Sequence, residues 1–86
     1  MGTVISHNSY DLSNLTVVPV IASYDSFGNI APLYVRLNGK AYKVLSYYRI
    51  DNLGFPEFSC KIDHYGRSRD IKLVYHPREF VWTLKN

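Results

Sequence analysis

Pro32-Leu33-Tyr34-Val35-Arg36-Leu37-Asn38-Gly39-Lys40-Ala41-Tyr42-Lys43-Val44 is the stretch that decides the fold. Asn-Gly is the favoured pair for a two-residue type I′ turn, because both central positions need positive φ. With Asn38 and Gly39 as the loop, Val35 faces Tyr42 and Leu33 faces Val44, while Tyr34 faces Lys43 and Arg36 faces Ala41. Apolar side chains then share one face. The register set by the turn agrees with the register that burial demands, so an antiparallel hairpin is predicted here.

Working outward, Thr16 to Tyr24 is a β-rich run whose Pro19 cannot donate to a ladder and so suits an edge strand. The turn Asp25-Ser26-Phe27-Gly28-Asn29 returns it to the hairpin. Beyond Val44, the third strand continues with Tyr48 and Ile50 on the buried side and Lys43, Tyr47 and Arg49 on the other, until Gly54 and Pro56 interrupt it. Phe58, Cys60 and Ile62, then Ile71, Leu73 and Tyr75, then Phe80, Trp82 and Leu84 alternate with their neighbours and mark three more strands. Their connections, His64 to Ser68 and Pro77 to Glu79, have the shortness of antiparallel neighbours. The first thirteen residues have no period and read as a loose arm.

Composition agrees. The chain has 86 residues, of which 47% are apolar and 20% charged, values of a folded domain and not of a disordered segment. Val, Ile, Thr, Tyr, Phe and Trp together number 30, against 3 Ala and 2 Glu, which favours strands over helices. One all-β domain is expected, an antiparallel meander of about six strands curling into a partly open SH3-like or OB-like barrel. Gly28-x-x-x-Pro32-Leu33, Gly39-x-x-Tyr42-x-Val44, Phe58-x-Cys60-Lys61-Ile62 and Leu73-Val74-Tyr75 before a terminal Trp82 strand resemble short uncharacterised β-rich proteins of Gram-positive bacteria, over about residues 17–84. That resemblance implies no activity, cofactor or site residue.

Catalysis has little to stand on in these residues. Cys60 and His64 are a thiol and an imidazole four apart, but a strand sets them roughly 13 Å from each other and the phase of Phe58 and Ile62 turns the thiol inward. Cys60, His7, His64 and His76, with Asp63 and Asp70, show no spacing typical of a metal site, and no phosphate loop or nucleophile elbow occurs. A non-enzymatic protein without metal or cofactor is therefore expected. The lone Cys indicates no oxidising compartment, no apolar run is long enough to span a membrane, and no secretory signal opens the chain. Met1 to Ser6 fits a loose myristoylation pattern, but the first basic residue is Arg36, so the usual second membrane signal is missing. The expected address is the cytoplasm, away from membranes.

Charge points to binding. Residues 1–35 hold Asp11 and Asp25 and no Lys or Arg, whereas residues 36–86 hold ten basic and five acidic side chains. Strand phase predicts a basic, tyrosine-bearing sheet face of Tyr34, Arg36, Lys43, Tyr47 and Arg49, with Lys61 and Lys72 on later strands. Cations there would position phosphates and rings would stack on bases, the way sheet surfaces grip single-stranded nucleic acid. Arg67 and Arg69 around Gly66, joined by Arg78 if the hairpin ends converge, form a candidate anion seat for a small nucleotide. Leu53, Phe55 and Pro56 form a candidate protein-docking loop, which makes an adaptor or inhibitor from a phage or other mobile element the alternative. An exposed terminal strand would also permit a homodimer.

Overall fold

A computed structural model describes residues 15–52 and 54–85. The expected arm, with the myristoylation pattern and His7, and Leu53 lie outside the described residues. Among the described residues the chain forms seven antiparallel strands and no helix. They are β1 (Thr16–Val18), β2 (Val20–Tyr24), β3 (Ile30–Leu37), β4 (Lys40–Asn52), β5 (Phe55–His64), β6 (Arg67–His76) and β7 (Val81–Lys85). The order across the sheet is β1-β7-β6-β5-β4-β3-β2, so its two margins are consecutive in the chain and the sheet curls into a half-barrel of the SH3 or OB type. Pro19 makes this turn of direction: it splits the single expected first strand in two, and its carbonyl accepts from Arg36 N at 2.9 Å.

The hairpin register of β3 and β4 is Tyr34↔Lys43, Val35↔Tyr42 and Arg36↔Ala41, as the turn dictates, with Asn38 and Gly39 at φ 50° and 80°. Leu33↔Val44 does not form. Leu33 is the extra residue of a bulge, for β2 pairs Ile21 with Tyr34 and Ala22 with Pro32, and it stands outward, 42% exposed. A second bulge at Leu45 separates Val44↔Ile62 from Ser46↔Lys61. The bulge bends β4, whose first part pairs β3 from Lys40 to Lys43 and whose second part pairs β5 from Val44 to Asn52.

The concave face holds the core: Val18, Ile30, Val35, Leu37, Phe58, Cys60, Ile62, Ile71, Leu73 and Trp82. Phe58 packs against Trp82, and Trp82 against Tyr75, with ring centroids 5.3 and 5.0 Å apart. Two details depart from simple alternation. Phe80 closes the turn before β7 at φ 58° and is 80% exposed, so it does not enter the core as expected. Thr83, on the opposite face from Trp82, is buried because it meets His76 at 2.9 Å.

Candidate functional site

The bulge at Leu45 divides the predicted sheet face. In an antiparallel ladder, directly paired residues share a face. Tyr47 pairs Cys60 and Arg49 pairs Phe58, which puts both on the concave side, opposite to expectation. There Tyr47 meets the Phe58 ring edge-on at 5.7 Å, and Arg49 lies over it at 6.0 Å while its Nε donates to Asp51 Oδ1 at 2.9 Å. Tyr48 and Ile50, expected inside, stand on the convex side and are exposed.

Tyr34, Arg36 and Lys43 stay on the convex face of the β3–β4 hairpin. Lys61 and Lys72 lie on the convex face of β5 and β6, where Lys61 Nζ donates to Asp70 Oδ1 at 2.7 Å. Phe55 and Pro56 do not project as a docking loop: β5 begins at Phe55, whose ring lies 5.5 Å from that of His76, and Pro56 is buried.

A denser grouping sits where two hairpin tips meet. Successive tips of a meander alternate between its ends, so the β3–β4 and β5–β6 tips lie together. The β5–β6 tip is a two-residue turn, Tyr65-Gly66, at φ 57° and 83°, steadied by Gly66 N donating to Asp63 Oδ1 at 2.9 Å. Lys40 crosses from the first tip and donates to the Tyr65 hydroxyl at 2.8 Å. Tyr42 and His64 complete the group, with Tyr42 to His64 at 5.2 Å and His64 to Tyr65 at 4.8 Å between ring centroids. Donation from Lys40, and next from Tyr42, holds the Tyr65 phenol below its usual range. The same hydrogen bonds hold the Lys40 ammonium and the Tyr42 phenol above theirs.

Arg67 opposes His64 and Arg69 opposes Ile62, so both guanidiniums emerge beside this cluster, exposed and, among the described residues, in no ion pair. Arg78 does not join them. It lies in the β6–β7 turn at the far end of β6, a ten-residue strand and so roughly 30 Å away. The two tips gather charge. Residues 36–43 and 61–70 carry six basic and two acidic side chains, net +4, while the rest of the chain carries four basic and five acidic, net −1.

Cys60 donates weakly to the Phe58 carbonyl at 3.6 Å, and burial pushes its thiol up to about 11. A thiol so placed is not an accessible nucleophile. No helix among the described residues is long and apolar enough to cross a membrane. Comparison with protein-family models, with curated proteins and with solved structures finds no match for this chain.

Proposed function

We propose that the protein is a non-catalytic binding module whose two adjoining hairpin tips contact nucleic acid. One observation carries this reading: Lys40 reaching Tyr65 joins two basic segments, distant in sequence, into one end that holds more positive charge than the whole chain nets. Arg67, Arg69 and Lys40 would take phosphates, and the exposed Tyr65 ring supplies a stacking face for an unpaired base. Arg36 and Lys43 extend the field onto the convex side of the same end. Guanidiniums outside ion pairs suit phosphate well, since no carboxylate must first be displaced.

Titration of labelled single-stranded and duplex oligonucleotides at several salt concentrations tests this. Affinity should fall as salt rises, and Arg67→Ala with Arg69→Ala should lower the slope of log K against log salt by about 0.7 to 0.9 for each phosphate that is no longer neutralised. No binding at low salt, or a slope unmoved by the double variant, rules the reading out.

A second reading, a protein-interaction module, is favoured by the aliphatic side chains that the two bulges turn outward. Leu33, Leu45 and Ile21 are all exposed on the β2–β3–β4 side, an arrangement that fits a protein surface better than a phosphate. Recovery of one stoichiometric partner after nuclease treatment, abolished by Leu45→Lys, would favour it.

A further inference from the structure

The convex face of β4 to β7 carries a second feature, separate from the hairpin tips. Cross-strand pairing sets Tyr48, Ser59, Lys72 and Lys85 in a single row. The short side chains of Ser59 and of neighbouring Ser46 form the floor of a depression of about 450 Å³, walled by Tyr48, Lys61, Asp70, Lys72 and Lys85. That volume falls within the roughly 300–1,000 Å³ usual for small-molecule sites.

Its electrostatics are unbalanced. Lys72 and Lys85 stand directly opposite each other, a like-charge relation that works against pairing of the two strands. Lys85 Nζ is partly compensated by donating to Glu57 Oε1 at 2.9 Å, and Lys61 by Asp70 at 2.7 Å. Lys72 makes no ion pair among the described residues. An anion between Lys72 and Lys85 would turn the repulsive pair into a clamp, with the Ser59 hydroxyl as a further donor. Tyr48, opposite small Ser59 and largely exposed, presents a ring at the other end of the row.

We propose that this depression binds a nucleoside monophosphate, its phosphate between Lys72 and Lys85 and its base against Tyr48. The proposal does not depend on the hairpin tips, whose arginines lie on the concave side.

Titration of adenosine monophosphate into the full chain, followed by amide NMR shifts, tests it, with adenosine and inorganic phosphate as separate arms. Saturable shifts should centre on Tyr48, Ser59, Lys72 and Lys85, and each half-ligand should bind roughly tenfold more weakly or worse. Lys72→Ala should weaken binding roughly tenfold without lowering the melting temperature, because it removes a repulsive neighbour of Lys85. Ser59→Tyr, which fills the floor, should abolish binding. Arg67→Ala with Arg69→Ala should leave it unchanged. The proposal is overturned by the absence of a saturable shift, by inorganic phosphate binding as tightly as the nucleotide, or by loss of binding only in the arginine variants.

Discussion

The Cys60 thiol lies among Phe58, Ile62 and its cross-strand partner Ile71, where a thiolate would have neither water nor a cation beside it. With the thiol at about 11 when folded and near 8.5 when unfolded, its contribution to stability is complete below the unfolded value and is lost as pH rises from there towards 11. Alkylation by iodoacetamide near neutral pH should be slow in the native protein and fast in denaturant. Equal rates in the two states would mean that the core opens freely. His76 runs the other way: desolvation holds it below the usual imidazole range, opposed in part by Glu79. The unfolded state takes up the proton first, so stability is full above about 6.5 and declines as pH falls from there through the folded value. His76→Gln should flatten the loss of melting temperature between about pH 7 and pH 5. An unchanged slope would assign that loss to other groups.

At the scale of the element, the two bulges matter more than any propensity. Each inserts one residue and so puts the side chains before it out of phase with those after it. For the second bulge a signal was present in the chain, because Val44-Leu45 places apolar residues side by side where an unbroken strand would alternate. A phase carried straight through the bulges misplaces Leu33, Tyr47, Tyr48, Arg49 and Ile50. The corrected phase makes a sharp prediction: Leu33→Lys and Leu45→Lys should each change stability by no more than about 0.5 kcal/mol. Phe58→Ala, the buried reference, should cost about 3–5 kcal/mol. Denaturant unfolding decides it, and a cost above about 2 kcal/mol for either lysine would place that leucine inside. The alternation of hairpin tips was equally open to reading. A meander sends the β5–β6 and β6–β7 turns to opposite ends, which keeps Arg67 and Arg78 out of any one seat.

For the molecule as a whole, the uneven charge has a thermodynamic consequence as well as a functional one. The ion pairs Arg49–Asp51 and Lys61–Asp70 are exposed, and such pairs contribute about 0–1 kcal/mol. Crowding of like charge at the two tips opposes folding and is screened by salt over about 10 Å at 0.1 M. Added sodium chloride should therefore raise the melting temperature, and Arg69→Ala should reduce that gain. A melting temperature that falls with salt would mean that attractive pairs outweigh the repulsion.

Local chemistry sufficed for much of this architecture. Asn38-Gly39 set a hairpin and its register, β-branched and aromatic residues marked every strand, and the phase of Phe58 and Ile62 buried Cys60. These are short-range matters, decided by φ, by period two and by which side chains leave water. Only the tertiary structure joined β1 to β7 across the whole chain and brought Lys40 onto Tyr65 from 25 residues away. Where side chains from separate strands meet depends on the curvature needed to close the sheet over its core, and that curvature is shared by all seven strands rather than carried by any one stretch of sequence.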